Sequence, residues 1–383
     1  MSEIVPFNKA FISGKEEKYI HKALMYGALA GNGFYTKKCQ TYIENEFSVQ
    51  KCLLTTSCTD ALEMAAILTN VGPGDEVIVP SYTFVSTAIA FVRQGATLVF
   101  VDSERCTPNL NLDEVEKAIT SRTKVIVPVH YGGSSCDMDR LMAIADKYHL
   151  YVVEDAAQAI GATYKGRYLG TIGHLGTYSF HETKNVSCGE GGALLVNDKH
   201  FSRRADIIWE KGTNRSEFFR GEVNKYGWVD TGSSFLPNEL TAAFLYGQLT
   251  QYKQLNARRL QLWDMYKQAL QPLADKGCFC LPRIHEYNQI NAHVFYIVLP
   301  SCELRTDLIS FLKEQQIHAV FHYLSLHKSD YFKTQYVGEQ LTQSDHYTCC
   351  LLRLPLFNDM TENQVKLVCQ SISDFFSRND SSI

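Results

Sequence analysis

The sequence predicts an α/β fold: a mostly parallel central sheet with helices on both faces, plus a smaller C-terminal α+β domain. Three observations predict it. Between about residue 50 and residue 155, short apolar runs alternate with amphipathic stretches of helical spacing, the rhythm of repeated βαβ units. After Pro272 the order changes to strand, helix, strand and helix with irregular stretches between. A chain of 383 residues is long enough for two domains of ordinary size.

In chain order, residues near 14 to 29 read as a helix, with Ile20, Leu24, Met25 and Leu29 at roughly helical spacing and Gly31 and Gly33 as its stop. A second helix holds Tyr42, Ile43 and Phe47. Strands follow at Cys52–Leu54, Glu76–Val79, Thr97–Val101, Lys124–Val129 and Leu150–Val153. Helices fall at Ala61–Leu68, Thr83–Val92, Leu112–Ile119 and Met138–Tyr148. The second strand follows the turn Gly72-Pro73-Gly74-Asp75. Between about 160 and 240 the pattern loosens, and strands fit only Thr177–Phe180 and Ala193–Val196. One long helix is expected from Asn238 to Leu270, its apolar stripe running through Leu245, Leu249, Tyr252, Leu255, Leu260, Trp263, Tyr266 and Leu270. Beyond it come a strand at His293–Leu299, a helix at Leu304–Gln315, a strand at Ala319–Phe321 and a last helix at Glu362–Phe376. The expected domains are 1–250 and 251–383, with the boundary inside the long helix. No internal repeat or low-complexity linker interrupts them.

Composition narrows the function classes. The chain is 45% hydrophobic and 20% charged, with a net charge of −4, so no basic field points to nucleic acid. No apolar stretch reaches ~18 residues, so no membrane insertion is expected. The opening Met1-Ser2-Glu3 lacks a secretory n-region and h-region, which points to the cytoplasm. The 12 cysteines are scattered. Cys349 and Cys350 are adjacent, and Cys278 and Cys280 have one residue between them rather than the two to four of a zinc knuckle, so reduced thiols and no metal are expected.

The chemistry concentrates between Val152 and Lys184. An apolar run ends on Asp155, at the strand end where open α/β sheets bind ligands. A second strand-like segment delivers Lys184 just before the glycine-rich Cys188-Gly189-Glu190-Gly191-Gly192. A pyridoxal phosphate (PLP) enzyme needs a lysine amine for its Schiff base and an acid facing the pyridine nitrogen. Each residue also has a plain reading, a structural carboxylate for Asp155 and a solvated charge for Lys184. The run Thr55-Thr56-Ser57-Cys58-Thr59-Asp60-Ala61 passes from a strand into a helix, where free N–H groups and hydroxyls suit a phosphate or form an ordinary N-cap. Phe84, at another strand-to-helix junction, suits stacking on a planar ring or a place in the core. Other active-site signatures are missing. The sequence holds no Gly-x-Gly-x-x-Gly after its first strand, no P-loop, no His-Glu-x-x-His and no Gly-x-Ser-x-Gly, and His181-Glu182 lacks the second histidine of a zinc peptidase.

Several motifs together resemble one family, the PLP-dependent sugar aminotransferases of the DegT/DnrJ/EryC1/StrS group. They are Gly72-Pro73-Gly74-Asp75-Glu76-Val77-Ile78-Val79-Pro80, Val127-Pro128-Val129-His130-Tyr131-Gly132-Gly133, Val153-Glu154-Asp155-Ala156-Ala157-Gln158 and Ser179-Phe180-His181-Glu182-Thr183-Lys184-Asn185. The resemblance covers essentially the whole chain and implies fold type I. It implies that Lys184 is the Schiff-base lysine and that Asp155 faces the pyridine nitrogen. Gln158 is then near the cofactor's O3′ side, Phe84 stacks on the ring, and Ser179, Thr59 and the backbone of Asp60 hold the phosphate. The family usually has alanine where this chain has Asp60. Many relatives carry Gly-Tyr-Asn-Tyr-Arg before the long helix, with the Asn reaching the phosphate of the neighbouring subunit; here the run is Gly232-Ser233-Ser234-Phe235-Leu236, which gives Ser234 that place. His181, Lys211, Asn214, Arg215, His322 and Tyr323 are the implied substrate contacts.

The phrases Gly-Thr-Ile-Gly-His (170–174), Phe-His-Glu-Thr-Lys-Asn (180–185) and Glu-Lys-Gly-Thr-Asn-Arg-Ser (210–216) look closest to the branch serving enterobacterial common antigen synthesis. That branch implies amino transfer from L-glutamate to C4 of a dTDP-linked 4-keto-6-deoxy-D-glucose, by a homodimer with shared active sites. The product would be dTDP-4-amino-4,6-dideoxy-D-galactose. The gluco epimer, a 3-amino sugar and a non-catalytic sugar-nucleotide-binding homologue are the alternatives. Sugar dehydratases of the same fold carry histidine in place of the lysine, and Lys184 argues against them.

Overall fold

The computed structural model describes residues 4–380. Two helices open it, α1 (Lys15–Tyr26) and α2 (Phe34–Phe47), followed by β1 (Lys51–Thr55), α3 (Cys58–Leu68), β2 (Glu76–Pro80), α4 (Val85–Val92) and β3 (Thr97–Val101). Next come α5 (Leu112–Ala118), β4 (Thr123–Ile126), α6 (Met138–Tyr148), β5 (Tyr151–Asp155), β6 (Thr163–Tyr164) and β7 (Arg167–Tyr168). Then follow β8 (Leu175–Ser179), β9 (Gly192–Val196), α7 (Ser202–Trp209), α8 (Arg215–Phe219), α9 (Glu239–Leu249) and α10 (Tyr252–Asp275). The C-terminal part holds β10 (Asn288–Gln289), β11 (Phe295–Val298), α11 (Cys302–Glu314), α12 (Thr342–Cys350), β12 (Leu351–Leu354) and α13 (Glu362–Asp380). None of the described helices is long and apolar enough to cross a membrane.

The main sheet has seven strands in the order β1-β9-β8-β5-β4-β2-β3. The pairs β2–β3, β2–β4, β4–β5 and β5–β8 are parallel, and β9 runs antiparallel to both neighbours. Successive strand residues point to opposite faces, so each apolar run feeds two cores. Leu54, Ile78, Ile126, Val152 and Leu195 pack with Ile43 and Phe47 of α2, Leu141 of α6 and Leu245 of α9. Leu53, Val77, Val79, Val125, Val153 and Leu194 pack on the other face with Leu62 of α3, Phe91 of α4 and Ile208 of α7. A third core joins Trp263 and Tyr266 of α10 to Phe295 and Ile297 of β11, Leu308 of α11, Leu352 of β12 and Val368 of α13. Val5 lies in this third core and bridges to Ile317, so the start of the chain packs with its C-terminal part.

The structure corrects several boundaries. The first helix ends at Gly27, which takes the left-handed conformation (φ 72°) and caps Ala23 and Leu24, ahead of the expected Gly31. The expected helix from 238 to 270 is two helices. Its apolar stripe is continuous, but the Thr250 hydroxyl and the Gln251 amide both take the Gly247 carbonyl, at 2.9 and 3.2 Å, and the ladder stops there. The second of these helices carries Pro272 inside its last turns and continues to Asp275. The strand expected to reach Val129 ends at Ile126, because Pro128 has no N–H to give; a lone bridge from Val129 to Asp155 carries the pairing on. The strand expected at 319–321 is a single bridge between Val320 and Arg353. Helix α12 and strands β6, β7, β10 and β12 were not anticipated, and α7 and α8 fall in the loosely patterned stretch between 160 and 240.

Candidate active site

Strand register builds the site. Thr55 and Ser179 both sit opposite Gly192, and Asp155 sits opposite Thr177, so the carboxyl ends of β1, β8 and β5 meet at one edge. Helix α3 starts there, with Ser57 as its N-cap. Gly192 has to be glycine, because a Cβ would lie 2.5 Å from Ser57 O and Cys58 N. Over this edge lies a cavity of about 610 Å³.

Nine sequence-predicted residues line that cavity: Thr59, Phe84, Asp155, Gln158, Ser179, His181, Lys184, His322 and Tyr323. Asp155 is 5% exposed; its Oδ2 accepts a 2.6 Å hydrogen bond from Thr87, and its Oδ1 accepts from the Ala157 N–H at 3.2 Å. Gln158 Oε1 accepts from Gly132 N–H and its Nε2 donates to the Tyr323 hydroxyl, each at 2.7 Å. Thr59 and Ser86 hydroxyls bond each other at 2.7 Å beside the α3 N-terminus. Phe84 caps α4 and leaves 56% of its surface open. His322 stacks on Tyr323 at 3.6 Å between ring centres and bonds the Tyr131 hydroxyl at 2.5 Å.

Among the described residues, the Lys184 amine makes no hydrogen bond or ion pair. Burial pushes its pKa below the ordinary lysine value; neighbouring Asp155 opposes that shift, and the Arg353 charge adds to it. Burial, with the positive charges of Lys184 and Arg353, holds both His293 and His322 well below the ordinary histidine value. The imidazoles are therefore neutral donors and acceptors at neutral pH.

Five predicted residues stand elsewhere. The Asp60 N–H donates to Ser57 Oγ at 3.1 Å in the α3 cap, and the Asp60 carboxylate accepts from the Thr56 hydroxyl. Ser234 is exposed and bridges Glu210. Lys211 is exposed in a left-handed turn (φ 66°). Asn214 accepts from Gly227 N–H at 2.8 Å, and Arg215 lies over the Phe219 ring at 5.2 Å. Lys211, Asn214 and Arg215 do not line this cavity; as nucleotide contacts they are expected outside the cofactor pocket.

The cavity also holds residues that the sequence reading passed over. Ser86, His293, Arg259 and Arg353 line it, and Thr87 holds Asp155 from behind. A signal existed for Arg353: a charge inside the apolar run Leu351-Leu352-Arg353-Leu354 has no reason to be there unless it meets something polar. His293 carried no such signal.

These groups fit pyridoxal phosphate. A hydroxyl-lined helix N-terminus (Ser57, Thr59, Ser86) suits a phosphate, and the Gly192 cradle keeps that turn in place. An unbonded lysine amine, a buried carboxylate and an open aromatic face share the same cavity. Fold and site together define a PLP-dependent aminotransferase of fold type I. The family model for the DegT/DnrJ/EryC1/StrS aminotransferases matches residues 11–373, and the chain belongs to that family of sugar aminotransferases.

Among its relatives, GDP-perosamine synthase of Escherichia coli O157:H7 is 28% identical over 97% of this chain and 99% of its own. The S. venezuelae protein DesV, solved in complex with a ketimine intermediate, superposes with a TM-score of 0.89 at 29% identity, covering 98% of this chain and 99% of that one. The PLP form of the putative sugar aminotransferase Spr1654 from Streptococcus pneumoniae has a TM-score of 0.89 at 25% identity, covering 98% and 99%.

Proposed function

We propose that the chain moves the amino group of L-glutamate to C4 of dTDP-4-keto-6-deoxy-D-glucose, giving dTDP-4-amino-4,6-dideoxy-D-galactose and 2-oxoglutarate. The observation that carries the transaminase part is the meeting of Lys184 and Asp155 at one cavity with the amine free of protein partners. The motifs at 170–174, 180–185 and 210–216 support the branch and hence the sugar.

The cofactor, when bound, supplies an aldehyde carbon that takes up the amino group and a ring that accepts the electron pair left on the donor's Cα. The chain's own residues do the rest. Lys184 would hold the cofactor through its amine and, when free, hold and move a proton at Nζ; its lowered pKa favours the neutral amine that such a base needs. Asp155 presents a carboxylate to the ring nitrogen, with Thr87 fixing one oxygen. Gln158 and Phe84 would hold the ring, and Ser179 and Thr59 would take the phosphate. Thr59 must then exchange its bond to Ser86 for one to the ligand. His181, His322 and Tyr323 face the incoming sugar.

The remaining assignments belong to this reading. Ser234 serves the neighbouring subunit's phosphate in a homodimer, and Lys211, Asn214 and Arg215 reach nucleotide at that shared boundary. The large cofactor-binding domain spans 1–250 and the small domain 251–383, with the helix break at Thr250–Gln251 between them. All 12 cysteines are free thiols, which suits the cytoplasm.

The test is incubation of the PLP-loaded protein with dTDP-4-keto-6-deoxyglucose and glutamate, with the product assigned by NMR. A small coupling between H3 or H5 and H4 is expected for the galacto sugar; large couplings to both neighbours would mean the gluco epimer. A GDP-linked keto sugar run in parallel checks the carrier, since the relative named above is a GDP-perosamine synthase. The loaded protein should absorb near ~410–430 nm, the chromophore of a lysine-bound cofactor, and Lys184→Ala should lose that band. A monomer in light scattering would remove the role given to Ser234.

A further inference from the structure

Three of the 12 thiols gather at one place in the C-terminal part: Cys302, in the first turn of α11, and Cys349 and Cys350, at the end of α12. The pairing of β11 with β12 brings them together. Val298 sits opposite Leu351, and the Leu299 N–H donates to the Cys350 carbonyl at 2.9 Å, so the chain entering α11 runs beside the chain leaving α12. The Cys349 thiol hydrogen-bonds the Cys302 sulfur. Arg305, one turn along α11, donates from Nη2 to Cys302 Sγ at 3.6 Å. Its Nε and Nη1 are buried without hydrogen-bond partners among the described residues.

The three thiols are not equivalent. Cys350 is 4% exposed, and burial pushes its pKa up to about 11. Burial and the bond to Cys302 also raise the pKa of Cys349, with the Arg305 charge opposing them. A hydrogen bond that raises a thiol's pKa is one the thiol donates, so Cys349 keeps its proton and points it at Cys302. Cys302 in turn receives donors: the Cys349 thiol, the Arg305 guanidinium and the unpaired N–H groups at the start of α11. A sulfur so surrounded takes up the negative charge that nucleophilic attack requires.

The thiols also stand close to the cavity wall. The chain between Cys302 and Cys349 contains His322 and Tyr323, which line the cavity. The Arg305 guanidinium lies over the Phe321 ring at 5.7 Å, and the Phe321 carbonyl accepts from Arg353 Nη2 at 3.2 Å. We propose that Cys302 and Cys349 form a peroxide-sensitive pair whose disulfide slows the enzyme by pinning this wall. The Cys302 sulfur attacks one oxygen of hydrogen peroxide; the O–O bond breaks, and the departing hydroxide takes the Cys302 proton as water. The Cys349 sulfur then attacks the Cys302 sulfenic acid; the S–S bond forms, the S–O bond breaks, and the hydroxyl leaves with the Cys349 proton as a second water. One peroxide is reduced by two electrons and the two thiols are oxidised by two. The crosslink ties α11 to α12 and draws the Cys302 sulfur away from Arg305, the group that supports Phe321.

The test treats PLP-loaded wild type, Cys302→Ser and Cys349→Ser with hydrogen peroxide, then removes the excess with catalase. Free thiols are alkylated and the crosslinks mapped by peptide mass spectrometry, a readout independent of the sugar and the amino donor. Wild type should show a Cys302–Cys349 crosslink that dithiothreitol dissolves. In C349S the resolving thiol is gone, so dimedone should label Cys302 as its sulfenic acid. Before oxidation both variants should turn over like wild type. The glutamate half-reaction, followed by loss of the ~410–430 nm band, should lose most of its rate in oxidised wild type and recover with dithiothreitol. In both variants that rate should survive peroxide. No crosslink, a crosslink through Cys350, or a Cys302–Cys349 crosslink with an unchanged rate would each overturn the proposal. A rate loss that persists in both variants would overturn it as well and would point to Cys58 in the cavity. A band that ignores glutamate before oxidation would instead overturn the reading of glutamate as donor, and the thiol pair would be judged by the crosslink and by the rate with the donor that does bleach the band.

Discussion

Gln158 reaches Tyr323 across 165 residues of chain, its Nε2 donating to the phenol oxygen at 2.7 Å. The other end of the same amide accepts from Gly132 N–H at 2.7 Å. One side chain therefore ties the loop after β5 to the C-terminal wall of the cavity. Removing each partner should cost differently. Tyr323→Phe loses one neutral hydrogen bond, about 1 kcal/mol. Gln158→Leu also leaves Gly132 N–H buried without an acceptor, for about 1–3 kcal/mol. A double-mutant cycle read by chemical denaturation should give a coupling of about 0.5–1.5 kcal/mol. Strict additivity would mean that the bond does not hold the wall.

Thr87 stands between Thr83 and Asp155, bonded at 2.9 Å to the first hydroxyl and donating at 2.6 Å to the carboxylate. Since Thr87 spends its proton on Asp155, Thr83 must donate to Thr87. The relay fixes one oxygen of the acid proposed to meet the cofactor nitrogen. Thr87→Val should weaken PLP binding by about 10-fold, the worth of one charge-assisted hydrogen bond. Thr83→Val acts one bond further away and should cost less. Spectrophotometric PLP titration of the three proteins gives the order; an equal loss in both variants would break the relay idea.

The layers were legible because each strand is a short apolar run whose alternate residues both need cover, as with Val77 and Val79 on one face and Ile78 on the other. Asp155 was legible because a charge at the end of such a run stands out, and Lys184 because it lies between a strand and a glycine-rich loop. The break at Thr250 was not, because the stripe of Leu245, Leu249, Tyr252 and Leu255 continues through it; two side chains competing for one carbonyl make the break. The partners of Asp60 were not legible from its type: Ser57 Oγ takes its N–H, and its carboxylate accepts from the Thr56 hydroxyl. Arg353 was missed with its strand, which follows directly on the polar helix Thr342–Cys350.

Next to Asp155, Glu154 points the opposite way and is fully buried. Its Oε1 accepts from Ile172 and Gly173 N–H, both at 2.6 Å, and its Oε2 from Gly170 N–H at 2.8 Å and bonds His130 Nε2 at 2.7 Å. Every contact is a donor, so the site demands an acceptor at both oxygens. Glu154→Gln places an NH₂ against at least one N–H. The expected loss is about 3 kcal/mol, typical of a broken buried network. Glu154→Gln should also weaken PLP binding through Asp155, its chain neighbour. Denaturation curves that match wild type would show that the loop at 170–173 is held by other means.

His293 and His322 give the protein a pH dependence whose sign is fixed by their burial. Both have folded-state pKa values well below the ordinary value of 6.5. Below pH 6.5 the unfolded chain binds protons at these positions and the folded chain does not. Their contribution to stability is therefore complete above pH 6.5 and is lost as the pH falls. The steepest loss is ~1.4 kcal/mol per pH unit per histidine. Other groups titrate over the same range, so the difference between wild type and a variant isolates the effect. His322→Gln removes one of the two titrations and the bond to Tyr131. It should be less stable than wild type at pH 7.5, with the gap narrowing at pH 6.5 and again at 5.5 in denaturant titrations. A gap that stays constant across that range would mean that His322 takes up its proton in the folded protein at the same pH as in the unfolded chain, against the shift its burial causes.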